Sequence, residues 1–113
     1  METISVTPNV TTLINVLSVE PANQKRLVAL LDESTEASIK KMKGWVSTHL
    51  LSSKDSTRVV IYSQWESSSD VEAMQNDPTL RAYFPRILAL AKFESWVCES
   101  SHCHYARSPL SRR

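Results

Sequence analysis

Apolar residues cluster most densely along Arg58-Val-Val-Ile-Tyr-Ser-Gln-Trp-Glu-Ser67. Val59, Val60, Ile61 and Tyr62 are β-branched or aromatic and favour a pleated backbone, and Ser67-Ser-Ser-Asp70 can end a strand and start a helix. Alternation puts Val59, Ile61, Ser63 and Trp65 on one face and Val60, Tyr62 and Gln64 on the other. Both faces are mainly apolar, so this run is expected to be a central strand covered on two sides.

An earlier strand is expected over Thr12–Val19, with Leu13, Asn15, Leu17 and Val19 facing one way and Thr12, Ile14, Val16 and Ser18 the other. Pro21-Ala-Asn23 then supplies helix-start chemistry. Leu27, Val28, Leu31, Ile39 and Met42 recur at about 3.6 residues per turn, which predicts a helix over 22–42. Lys40, Lys41 and Lys43 suit the negative end of its dipole, and Gly44, the sole glycine, suits a left-handed cap.

Trp45–Ser52 and 58–66 flank the polar Ser53-Lys-Asp-Ser-Thr57 and should pair as an antiparallel hairpin. A turn centred on Lys54-Asp55 opposes Leu50 to Val59 and Thr48 to Ile61. Thr48, Leu50, Ile61, Ser63 and Trp65 then share a face, with His49 on the other beside Val60 and Tyr62. An odd-length loop would exchange the faces. A short helix follows over 70–75, and Asp77-Pro78 opens another from Thr79 to about Leu90, with Leu80, Phe84, Ile87, Leu88 and Ala91 buried. Pro85 should kink or divide it. Phe93, Trp96 and Val97 mark a last strand over 92–99.

The predicted order is β-α-β-β-α-β, a ferredoxin-like α+β fold with four antiparallel strands and helices on one face. A 113-residue chain buries about two-thirds of its unfolded surface, so the bare face calls for a second copy packed sheet on sheet in a two-fold homodimer. Residues 1–99 read as one domain with a short polar arm over 1–9, and 100–113 as a polar tail.

Composition adds exclusions. With 42% hydrophobic and 22% charged residues the chain is an ordinary globular one. Its 13 basic and 12 acidic residues are scattered, leaving no footprint for nucleic acid or an anionic membrane. No apolar run approaches the roughly 20 residues that span a bilayer, and the N-terminal residues lack a basic region followed by an apolar core, so a cytoplasmic location is expected. Cys98 and Cys103 are too few for a disulfide framework.

Thr12-Leu-Ile-Asn15 in the first strand, Gly44-Trp45 opening the second, and above all Thr57-Arg-Val-Val-Ile-Tyr-Ser-Gln-Trp-Glu-Ser67 resemble the antibiotic biosynthesis monooxygenase family over about residues 12–98. The resemblance implies a dimeric α+β barrel and, in the quinone-forming members, a cofactor-free oxygenase. It implies a pocket between sheet and helices, lined by a first-strand asparagine, a third-strand asparagine and a tryptophan at the strand's end. Asn15 and Trp65 match the first and third of these, whereas the second position carries Ile61, which cannot hydrogen-bond a substrate oxygen. Haem-degrading relatives carry an iron-binding histidine on the last helix; Leu80-Arg-Ala-Tyr-Phe-Pro-Arg86 has none.

The residues admit plain readings beside functional ones. Trp65 is either a core aromatic or a pocket wall able to stack on a planar ligand and donate one hydrogen bond. Asn15 is either a satisfied strand amide or the group that holds a phenol or carbonyl oxygen. His49 should face away from Trp65. Tyr83 and Arg86 are either snorkelling surface side chains or groups at the pocket mouth. The spacing of Cys98, His102, Cys103 and His104 matches no common zinc pattern, so no metal is expected.

These readings lead to a cofactor-independent monooxygenase that oxidises a planar aromatic polyketide-type substrate, an anthrone or phenol, to a quinone with dioxygen. Asn15 and Trp65 are the expected catalytic residues, and Leu13, Leu50, Ile61, Ser63, Tyr83, Phe84 and Arg86 the expected substrate contacts. The alternative is a cyclase, isomerase or ligand binder of the same fold acting on an apolar metabolite, and a third is a dimeric structural module with a vestigial pocket.

Overall fold

The computed structural model describes residues 10–102 and 104–106. The expected arm over 1–9, Cys103 and the tail beyond residue 106 lie outside the described residues.

Four strands form one antiparallel sheet: β1 (Thr11–Val19), β2 (Trp45–Ser52), β3 (Arg58–Trp65) and β4 (Ala91–Glu99), in the spatial order β2-β3-β1-β4. This is the predicted ferredoxin-like α+β arrangement, and β3 sits inside the sheet. Direct pairs Leu13↔Ser63, Asn15↔Ile61 and Leu17↔Val59 place these residues on the face that the helices cover. Ile14↔Tyr62 and Ile14↔Trp96 lie on the outer face.

The hairpin register differs from expectation by two residues: Leu50 opposes Ile61 and Thr48 opposes Ser63. Asp55 sets it. Its Oδ1 accepts from Ser53 Oγ at 2.8 Å, the Thr57 N–H at 3.0 Å and Thr57 Oγ1 at 2.7 Å, so the turn closes at Ser53 N–H to Arg58 O, 3.0 Å. An even shift preserves parity, and the expected faces hold. A bulge between Trp45 and Ser47 leaves Val46 unpaired and brings Trp45 opposite Trp65, on the helix side.

The helix predicted over 22–42 is instead α1 (Gln24–Ala37), between single 3₁₀ turns at Pro21–Asn23 and Ile39–Lys41. Ser34 and Thr35 both donate their hydroxyls to Leu31 O at 2.9 Å, and Ser38 leaves helical geometry (φ −135°, ψ −63°) with its hydroxyl on Asp77 Oδ2 at 3.1 Å. Hydroxyls that compete for backbone groups end the helix there. Gly44 is left-handed (φ +82°) as expected, but in the turn into β2 rather than at the end of α1. A Cβ at Gly44 would overlap the Asp70 carboxylate.

α2 (Ser68–Gln75) starts two residues earlier than predicted because Ser67 caps it, accepting from Asp70 N–H at 3.2 Å and donating to Asp70 Oδ2 at 2.8 Å. Pro85 marks a division rather than a kink: α3 (Pro78–Arg81) ends before α4 (Phe84–Leu90), and the proline falls in the first turn of α4, where no backbone donor is needed.

Two apolar clusters fill the space between helices and sheet. Leu17, Val19, Leu27, Leu30, Leu31, Val59, Ile87 and Ala91 form one; Leu13, Trp65, Val71, Met74 and Leu80 form the other. Among the described residues no helix is long and apolar enough to cross a membrane.

Candidate active site

Where the two clusters meet, the sheet and helices enclose a cavity of about 290 Å³, near the lower end of small-ligand sites. Its floor is the helix side of the sheet: Leu13, Asn15 and Leu17 from β1, Thr48 from β2, and Ile61, Ser63 and Trp65 from β3. Leu31, Ser34 and Thr35 of α1, Met74 of α2, and Phe84, Ile87 and Leu88 of α4 complete the walls. It opens at the free edge of β4, past the exposed Arg81, Leu88, Phe93 and Ser95.

Both residues expected to be catalytic reach this cavity, as do Leu13, Ile61, Ser63 and Phe84. Asn15 is half-buried, and its Oδ1 accepts from the Ser95 hydroxyl across the β1–β4 pair. Oδ1 is the amide atom turned to Ser95, and Nδ2 has no partner among the described residues. Trp65 is fully buried, and its Nε1–H donates to Ser63 Oγ at 3.2 Å. The indole is part of the cavity wall with no open surface of its own, and its single donor is already engaged.

Leu50, Tyr83 and Arg86 do not line the cavity. Leu50 packs into the first core cluster. Tyr83 donates its hydroxyl to Glu33 Oε2 at 3.1 Å, and Arg86 lies 3.6 Å from the same oxygen with its guanidinium 5.5 Å from the Tyr83 ring centre. Partial desolvation, then the bond to Glu33 and its charge, push the Tyr83 phenol above its usual pKa. The cause of the displacement is the break between α3 and α4, which turns these two side chains to the outside of α1. Arg81, not singled out from the sequence, takes the place at the mouth, 5.5 Å from the Phe84 ring centre and donating to Gln75 O at 3.2 Å.

Sequence reasoning also passed over Ser95, Ser34, Thr35 and Thr48. For Thr48 a signal was available, since hairpin parity already put it on the Trp65 face. Its Oγ1 accepts from Trp45 Nε1–H at 2.8 Å. His49 faces away as expected, edge-on to Tyr62 with ring centres 5.8 Å apart. Cys98, His102 and His104 are exposed, and among the described residues no three His, Cys, Asp or Glu side chains converge as a metal site would require.

Among the described residues the lining holds amide, hydroxyl and indole groups and one guanidinium, but no carboxylate, imidazole or thiol. Such a site can bind a flat ligand and donate hydrogen bonds, and the described lining supplies no general base.

Residues 11–86 match the family model described as antibiotic biosynthesis monooxygenase. The chain belongs to this family. Among its relatives is the tetracenomycin-F1 monooxygenase of Streptomyces glaucescens, 38% identical over 109 residues that cover 96% of this chain and 97% of that protein. Solved structures share the family fold at lower identity. SnoaB, a cofactor-independent oxygenase from Streptomyces nogalater, superposes with a TM-score of 0.69 at 17% identity over 84% of this chain and 96% of its own. Rv0793 from Mycobacterium tuberculosis gives 0.73 at 18% identity over 85% and 99%.

Proposed function

We propose that this member of the antibiotic biosynthesis monooxygenase family oxidises a planar, hydroxylated aromatic of polyketide type, an anthrone or phenol, to a quinone with dioxygen and without a bound cofactor. The observation that carries the reading is the cavity itself: an apolar slot whose wall brings the Asn15 amide and the Trp65 ring together. The relative at 38% identity, a monooxygenase by name, supports the same reaction class.

The chemistry balances without a further reductant. Loss of a proton from the substrate leaves an electron-rich enolate or phenolate, and electrons pass from it to dioxygen as a carbon–oxygen bond forms. Loss of water then leaves a new carbonyl. One oxygen atom ends in the quinone and the other in water, and the carbon, oxidised from CH₂ to C=O, supplies all the electrons. The described lining has no carboxylate or imidazole, so in this reading the proton passes to solvent, and the protein acts by stabilising the anion and keeping water from its ring. Asn15 Nδ2–H is one donor for the substrate oxygen, and Trp65 backs the apolar wall against which the ring lies.

Ile61 favours a second reading, a non-oxidative pocket for an apolar metabolite, because it makes the wall apolar where the family's quinone-forming members carry an asparagine. Oxygen-electrode traces with metal-stripped, flavin-free protein and a panel of anthrones and naphthols separate the two. Uptake matched one-to-one by quinone is expected; traces equal to buffer across the panel, with ligand binding intact, would leave the binding or isomerase reading in its place.

A further inference from the structure

The geometry points to a paired hydroxyl site, Thr48 and Ser63, that binds the ionised oxygen of a hydroxylated aromatic ligand and supplies the polarity that Ile61 removes from the same wall. The inference rests on the reading of the cavity as a site for such aromatics.

Thr48 and Ser63 are direct partners across β2 and β3, both on the helix side and both in the cavity lining. Opposed residues of an antiparallel pair have Cβ atoms about 5 Å apart, close enough for two hydroxyls to converge on one oxygen. Each hydroxyl oxygen is already an acceptor: Trp45 Nε1–H donates to Thr48 Oγ1 at 2.8 Å and Trp65 Nε1–H to Ser63 Oγ at 3.2 Å. Indole nitrogen is a donor only, so these bonds fix which way the hydroxyls work. Neither hydroxyl donates to any described residue. Ser63 is buried, and a buried O–H without an acceptor is costly, which a ligand oxygen in the cavity would relieve.

The bulge at Val46 is what makes the pair possible. Three residues apart on a regular strand, Trp45 and Thr48 would face opposite sides, and the extra residue puts both on the helix side. The result is two parallel indole-to-hydroxyl relays ending side by side. Each indole N–H polarises its hydroxyl, so the O–H proton is a better donor to an anion than an isolated serine or threonine would be. A cavity with these donors and no base among its described lining promotes ionisation of its ligand by holding the anion.

Titration of a protein-bound nitronaphthol, followed by its phenolate absorbance, reads this directly and needs no oxygen chemistry. In the wild type the bound chromophore should ionise at a pH lower than in water by about one unit, a tenfold change in its ionisation equilibrium. Thr48→Val and Ser63→Ala should each lose a large part of that shift, and Thr48→Ser should keep it. The methyl ether of the same naphthol cannot ionise and should bind wild type and variants alike. Should Ser63→Ala fail to fold because Trp65 loses its acceptor, the Thr48→Val and Thr48→Ser pair carries the test. A shift that is absent in the wild type, or that survives in Thr48→Val, overturns the pair. Failure of the ether to bind the wild type overturns the cavity reading itself, and the two failures are separable.

Discussion

At the residue scale, the site turns on which of its donors are left free. Asn15 turns its Oδ1 to the Ser95 hydroxyl and its Nδ2 has no partner among the described residues, whereas the Trp65 N–H is spent on Ser63. Removing one such donor from an oxyanion site costs on the order of a hundredfold in turnover. Asn15→Ala should therefore lower kcat about a hundredfold, and Ser95→Ala, which only frees the amide to rotate, should lower it less. Steady-state oxygen uptake checks the rates, and sedimentation and circular dichroism check that the assembly and fold are unchanged. If Asn15→Ala instead unfolds the protein or alters its assembly with the remaining folded fraction fully active, the amide is a structural strand residue. Of these placements, the sequence showed Asn15 as an unusual strand amide and the face it shares with Trp65. The destination of the indole proton was not legible, although Ser63 and Trp65, two apart on a strand, share a face.

At the element scale, parity was easier to read than register or breaks. Alternation along β1 and β3 assigned each residue to its face, and a slip of two residues in the hairpin left those faces intact. The break between α3 and α4 was signalled by Pro85, but its effect on direction was not: it brings Arg81 to the cavity mouth and sends Tyr83 and Arg86 to Glu33, where no periodicity argument would have placed them. What set the register was turn chemistry, which also makes the hairpin acid-sensitive. Bonds from the Thr57 hydroxyl, the Thr57 N–H and the Ser53 hydroxyl hold the Asp55 carboxyl down from 3.8 to about 2. A folded-state pKa below the unfolded one stabilises above the unfolded value and loses that contribution as pH falls through the folded one. The stability gap between wild type and Asp55→Ala should thus be constant above about pH 4 and close between pH 4 and 2. Urea unfolding at stepped pH measures it. A gap that does not change across that window would mean the charge of Asp55 plays no part in closing the turn. Because the group is exposed, the effect should also shrink with added salt.

At the scale of the whole molecule, the unresolved demand is the outer face of the sheet. Trp96 and Leu51 are 49% and 53% exposed there, beside the half-buried Ile14, Val16, Val60 and Tyr62, and the buried Gln64 Nε2 finds no acceptor among the described residues. Apolar surface of this kind on one continuous sheet face, with helices only on the other, is what an isologous sheet-on-sheet contact would bury. The protein should therefore sediment at twice its 12.8 kDa chain mass at micromolar concentration. Trp96→Glu puts a charge on that face, on the edge strand β4, where burying it unpaired costs several kcal/mol, and should shift the species to a monomer. Leu88→Glu, at an equally exposed position (53%) on α4 beside the cavity mouth, should leave the mass unchanged. The cavity lies on the opposite side of the sheet from Trp96, so a folded Trp96→Glu monomer also tells whether the site needs the second copy. Retained binding of a flat aromatic by the monomer would show that one chain completes the pocket. A wild type that sediments as a monomer would leave the apolar face to some other cover and remove the dimeric barrel from the description of this protein.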